Sequence, residues 1–182
     1  MVLFRVRVEG LENFPRAGAV VLCANHTYYK DLIVVGSISP RKIRWMAKAE
    51  LFRFPVFGAL IKKLGAFPIN RGAHDRDSIK TVYGLLNAGE TLGIFPEGTR
   101  IADPVHRPPF KRGFVTFAAN TGASLLPVAV KYEGGPFGRG RLFCKITLSY
   151  GKPVRMNRDK QYARGELDGI AASANAWINA RL

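Results

Sequence analysis

The chain has 182 residues and 28 Lys and Arg against 13 Asp and Glu, for a formal net charge of +15. A hydrophobic content of 47% is enough for a substantial core, which excludes a disordered or low-complexity chain. No apolar run reaches about 18 residues, so no spanning helix is expected, and two cysteines without metal spacing exclude a disulfide framework or a zinc ribbon.

The three histidines, His26, His74 and His106, are too scattered for a metal site, and no cofactor is expected. The first ten residues lack a signal-peptide core. The expected location is the cytoplasm or, peripherally, the cytoplasmic face of a membrane. The positive charge calls for polyanionic partners.

Strands and helices are expected to alternate. Val2 to Val8 alternates arginine with apolar residues, as a half-buried strand does. Ala19 to Ala24 is a continuous apolar run between Gly18 and Asn25, the pattern of a strand covered on both faces. Ile43 to Ala47 reads as another strand. Pro55 to Leu64 carries Val56, Phe57, Leu60, Ile61 and Leu64 at helical spacing, with Lys62 and Lys63 off that face. Asp75 or Asp77 can cap a helix through Ile79, Val82, Leu85 and Leu86 that stops at Gly89. Thr91 to Phe95 is the next strand, and Phe114 to Asn120 a short helix stopped by Gly122. Leu125 to Lys131 and Leu142 to Tyr150 are further strands, around a loop tip at Gly134 to Gly140. Ala171 to Leu182 is a closing helix. This order predicts one α/β domain over residues 1–182. It is a sandwich with a mixed, mainly parallel central sheet flanked by helices.

Sites in such sheets form where strands end and helices begin. His26 and Glu97 each follow a strand directly. The first stretch reads Asn25-His26-Thr27-Tyr28-Tyr29-Lys30-Asp31. Residues five apart in a continuous helix point about 140° away from each other, so His26 and Asp31 meet only if a turn follows the strand. Asp31 would then fix one imidazole tautomer and stabilise the imidazolium. The plainer alternative is a strand-end histidine with Asp31 capping the next helix. The second stretch, Phe95 to Arg100, ends in Glu97, Gly98, Thr99 and Arg100. With Arg71, reached from a separate loop, Arg100 would make a forked anion clamp. Each arginine read alone is a surface salt bridge or part of a turn.

Taken in order, these blocks resemble the glycerolipid acyltransferase family, whose best-known members are the 1-acylglycerol-3-phosphate (lysophosphatidic acid) acyltransferases. The blocks are NHTYYKD (25–31), GAFPINR (65–71), FPEGTR (95–100) and LLPVAV (125–130). The resemblance covers most of residues 18 to 131 and implies the glycerol-3-phosphate acyltransferase-like fold. It implies His26 as catalytic base with Asp31 as partner. Arg71, Glu97, Gly98, Thr99 and Arg100 would hold the phosphate-bearing acceptor, and Pro127 would shape the acyl-donor side. The implied donor is acyl-CoA or acyl carrier protein. The implied acceptor is a lysophospholipid, foremost 1-acylglycerol 3-phosphate, and the product phosphatidic acid. Tyr28, Lys30 and Asn70 depart from the common pattern, which leaves glycerol 3-phosphate or a lyso-aminolipid open as acceptor. The chain begins almost at its first strand, so the N-terminal helix pair of many bacterial members is expected to be missing or replaced.

An anionic membrane surface suits the apolar helix at 55–64, with Arg41, Lys42, Arg44, Lys48 and Arg53 just before it. The same periodicity fits a helix packed on the sheet. Cys23 lies three residues before His26, but residues three apart on a strand face opposite sides, so a core thiol is expected. Lys131 to Arg164 is basic, yet no nucleic-acid motif accompanies it, and no nucleic-acid partner is expected. The rival to an enzyme is a basic domain that holds lipid or nucleic acid without turnover.

Overall fold

The computed structural model describes residues 5–69, 76–101, 103, 107–134 and 145–182. Eight strands form one sheet among these residues: β1 (Arg5–Glu9), β2 (Val20–Ala24), β3 (Ile43–Lys48), β4 (Ala66–Ile69), β5 (Thr91–Ile94), β6 (Ser124–Glu133), β7 (Lys145–Tyr150) and β8 (Val154–Arg155). The strand order is β1-β7-β6-β2-β5-β3-β4, with β8 beside β6. All pairings are parallel except those of β6 with β7 and β8. Five α-helices among the described residues cover the sheet: α1 (Asp31–Ile38), α2 (Pro55–Lys63), α3 (Arg76–Asn87), α4 (Gly113–Thr121) and α5 (Arg164–Asn179).

The apolar run at β2 becomes the centre because it can be covered on both sides. All five of its residues are buried. Val20, Leu22 and Ala24 face one core, with Val34 and Val35 of α1 and Ile61 of α2. Val21 and Cys23 face the other, with Val82 of α3, Val115 of α4 and Ile178 of α5. This is the period of two expected of a strand. Burying each Val or Leu contributes about 1.5–3 kcal/mol, so polar residues are not tolerated here. Gly122 closes α4 with a left-handed φ of 68°, as expected of a glycine stop.

Asn25, fully buried, extends β2 by other means. Its Nδ2 donates to the Val130 carbonyl at 2.9 Å, and its Oδ1 accepts the Val130 N–H at 2.8 Å. The side-chain amide thus takes the place of a peptide group in the ladder. The backbone is free to turn immediately after Ala24.

The structure corrects several expectations. β1 is exposed at every residue rather than half-buried, because it is the edge strand with β7 as its sheet neighbour. Asp77 lies inside the first turn of α3 rather than capping it, and Asp75 lies outside the described residues. α5 starts seven residues before Ala171, where Glu166 Oε2 accepts the Ala163 N–H at 2.9 Å and closes the first turn. Residues 2–4 and 142–144 of the expected strands, His74, His106 and residues 135–140 of the glycine-rich loop lie outside the described residues.

Candidate active site

β2 and β5 are parallel neighbours, so the segments that follow them emerge side by side at the C-terminal edge of the sheet. A bend and turn over residues 28–30 lead from β2 into α1, and this reversal brings Asp31 back to His26. His26 Nδ1 lies 3.0 Å from Asp31 Oδ2. The same oxygen accepts the Thr27 N–H at 2.7 Å and the Tyr28 N–H at 2.8 Å. Asp31 therefore organises the turn and holds the imidazole at once. Its side chain is 0% exposed, against 18% for His26. Since Oδ2 is an acceptor for two amides, Nδ1 is the hydrogen-bearing ring nitrogen and Nε2 is left to take a proton.

Three further contacts fix the histidine. Its N–H donates to Glu97 Oε2 at 2.8 Å, and its carbonyl accepts the Ile101 N–H at 2.7 Å. Its ring stacks on Phe95, which follows β5. Glu97 is buried and also ion-paired with Arg107, whose Nη2 donates to Thr27 Oγ1 at 2.7 Å. Burial pushes the Glu97 carboxyl above the usual carboxylate range, with Arg107 and the His26 N–H pulling the other way.

Beside His26 opens a cavity of about 820 Å³, within the range of about 300–1,000 Å³ typical of small-molecule sites. Leu32, Phe57, Ile61, Ile94, Phe114 and Phe117 line its apolar part. Lys48, Arg100 and Lys111 bring cations to its wall.

The structure brings His26, Asp31, Glu97, Gly98, Thr99 and Arg100 together, and Arg71 lies outside the described residues. Three assignments change in detail. Glu97 was expected on the acceptor, but its oxygens are engaged by Arg107 and the His26 N–H, so it ties two loops together. The Gly98 N–H is spent on the Phe95 carbonyl at 3.0 Å, in a turn that needs its φ of 73°. Pro127 is buried in β6 opposite Cys23 and does not line the cavity. It falls between the stretches of β6 that pair with β8 and β7, where a missing N–H breaks no antiparallel rung. Cys23 is fully buried, and burial pushes its thiol far above the ordinary range, as expected of a core residue.

Arg107, Lys111 and Tyr132 complete the surroundings without having been expected. Lys111 Nζ would lie 3.6 Å from a Cβ built on Gly98. Tyr132 donates its hydroxyl hydrogen to Asp31 Oδ1. It stands near the end of β6, so the strand-end rule that finds His26 also points to it. Arg107 sits in no recognisable pattern.

Fold and site together make an α/β domain with a His–Asp pair beside an apolar cavity, and the comparisons with known proteins define it as an O-acyltransferase. The family model described as Acyltransferase matches residues 5–131, and the chain belongs to that family. It is 41% identical over 152 residues to the 1-acyl-sn-glycerol-3-phosphate acyltransferase of Bacillus subtilis, covering 82% of this chain and 73% of that protein. It is 33% identical to the lyso-ornithine lipid O-acyltransferase of Pseudomonas aeruginosa, over 71% of this chain and 48% of that one. Its fold matches the crystal structure of the 1-acyl-sn-glycerophosphate acyltransferase of Thermotoga maritima with a TM-score of 0.74, at 24% identity, over 97% of this chain and 70% of that one.

Proposed function

We propose that the protein transfers a fatty acyl group from a thioester, acyl-CoA or acyl carrier protein, to the free hydroxyl of 1-acylglycerol 3-phosphate, giving phosphatidic acid. One observation carries the reading: His26 is backed by a fully buried carboxylate at 3.0 Å and stands in the wall of a large apolar cavity. His26 Nε2 takes the proton of the acceptor hydroxyl as that oxygen attacks the thioester carbonyl. Asp31 stabilises the imidazolium. The tetrahedral intermediate collapses with loss of the thiol, which recovers the proton from His26. The apolar lining suits an acyl chain, and Arg100 and Lys111 suit the acceptor phosphate. Arg71 is assigned to the same phosphate.

The 41% identity to a lysophosphatidic acid-type relative, against 33% to the lyso-ornithine lipid enzyme, favours the phosphate-bearing acceptor. The lyso-aminolipid is the second reading. A panel of both acceptors with both donors, read by lipid mass spectrometry, decides between them. His26→Ala should lower turnover by about 10²- to 10⁴-fold. Undiminished turnover by folded H26A defeats the mechanism.

The enzyme works peripherally on an anionic membrane surface. No described helix is long and apolar enough to cross a membrane. In α2, Gly58 and Ile61 turn inward, while Val56 is 85% exposed and Leu60 is exposed in the cavity wall. Phe54, 62% exposed, adjoins them. Lys62 and Lys63 lie on the same helix. The guanidinium of Arg41 is engaged within the fold, held by the carbonyls of Pro15, Gly18 and Gly89.

A further inference from the structure

Tyr28 and Lys30, in the turn between His26 and Asp31, share one neighbour. Tyr28 meets the Tyr132 ring edge to face, with centroids 4.8 Å apart. Lys30 Nζ lies 4.8 Å from the Tyr132 ring centroid and 5.4 Å from that of Tyr28. Tyr132 itself is 9% exposed, and its hydroxyl donates to Asp31 Oδ1.

We infer that Tyr132 is a positioning residue for the His26–Asp31 pair: its hydroxyl locks the buried carboxylate in the orientation that aims the imidazole, and Tyr28 and Lys30 hold the phenol in place. The inference rests on the proposed role of His26 as base.

Asp31 Oδ2 is shared by three donors, the His26 ring and the Thr27 and Tyr28 amides. Those three bonds all fall on one oxygen and supply no donor to Oδ1. Tyr132 binds the other oxygen from a different element, 101 residues away in the chain. A carboxylate held at both oxygens resists rotation more than one held at Oδ2 alone. Without the phenol, Oδ1 would lose a donor inside a side chain that is 0% exposed. A buried, under-satisfied carboxylate shifts towards another donor, which loosens its hold on Nδ1. Tyr132 is not in the cavity wall, so it reaches the reaction only through Asp31.

The test compares wild type, Tyr132→Phe, Tyr150→Phe and His26→Ala in steady-state kinetics, with proton NMR of the low-field Nδ1–H signal of His26. Tyr150 supplies the control, a buried phenol whose hydroxyl meets Ser39 at 3.3 Å and not the pair. Y132F should lower kcat about 10-fold, the loss expected for a bond to a charged group, and leave both KM values within about two-fold. It should also move the Nδ1–H signal, while Y150F changes neither. In wild type, where no variant has to fold, the Tyr132 hydroxyl proton should appear as a slowly exchanging signal. Wild-type kcat in Y132F beside an inactive H26A overturns this inference and leaves the proposed function standing. An equal loss in Y150F, an unmoved Nδ1–H signal, or a fast-exchanging Tyr132 hydroxyl also overturns it. An active H26A overturns the proposed function and this inference together.

Discussion

The His26 ring lies flat on Phe95, with centroids 4.1 Å apart and planes 13° from parallel. Phe95 lies in the same way on Trp45, at 4.9 Å and 11°. The imidazole is thus held at its edge by Asp31 and at its face by a column of two aromatic rings. Trp45, at 1% exposure, anchors that column in the core.

The column stands where it does because residue 93 has no side chain. A Cβ on Gly93 would fall 2.6 Å from Ile43 Cγ2 and 2.7 Å from Trp45 Cζ3. Gly93→Ala should therefore destabilise the fold by about 1–3 kcal/mol, as overpacking does. Urea denaturation should show a lower midpoint with an unchanged slope. Activity should fall as well, since a displaced Trp45 carries Phe95 with it. Wild-type stability in G93A would show that the tryptophan has room to move.

Arg100 and Lys111 should act on the acceptor. Arg100 lies over the exposed Tyr29 ring, 3.6 Å from its centroid, which keeps the guanidinium at the cavity wall. Arg100→Ala or Lys111→Ala should raise the acceptor KM about 10- to 100-fold, as loss of a charge-assisted bond of roughly 1.5–3 kcal/mol does. The donor KM should hardly change. A rise confined to the donor would reassign both cations to the phosphates of coenzyme A.

Arg107→Met leaves Glu97 buried without its counter-ion and should cost about 3–5 kcal/mol near neutral pH. The pH dependence has a definite sign. The Glu97 carboxyl already sits above its ordinary range because of burial, and loss of Arg107 raises it further. A group whose folded pKa is raised contributes stability in full below its unfolded value and loses it as pH rises through the folded one. The defect in R107M should accordingly shrink in acid and grow towards neutrality. Adding Glu97→Gln should flatten that dependence. Thermal melts from pH 4 to 8 on both variants measure it, and a pH-independent defect in R107M would mean that Glu97 is not its source.

Membrane binding should divide into two parts. Lys62→Glu with Lys63→Glu should remove the salt-sensitive part, because attraction to anionic lipid is screened over about 10 Å at 0.1 M salt. Phe54→Ser with Val56→Ser should remove the part that survives high salt, since both side chains are exposed. Sedimentation with anionic vesicles across a salt series separates them. Equal binding by all variants would place the contact on another face.

How much of this was legible follows from where the information lies. β2 and β5 could be read because an apolar run between turn residues is a local signal. The start of α5 is not legible because Arg164 to Glu166 are exposed, polar or glycine, and are held by the Glu166 bond to the Ala163 N–H rather than by buried side chains. The half-buried reading of β1 failed because alternation shows a strand but not its place in the sheet, and an edge strand can leave both faces to solvent. Within the site, His26 and Asp31 stand five residues apart, and a turn suffices to join them. Tyr132 reaches Asp31 across 101 residues and Arg107 reaches Thr27 across 80, so only the assembled sheet brings them together.

Asn25 gives the reactive segment a mechanical independence. Its amide fills the last rung toward Val130, so the ladder is complete before the chain reaches His26. What happens between residues 26 and 30 is answered by the turn's own bonds to Asp31 and the neighbouring loops, not by the register of the strands. A substitution at Tyr29, in the cavity wall, can therefore reshape the site without asking the sheet to refold. The segment is in effect a replaceable head on a fixed handle, with Asn25 as the joint.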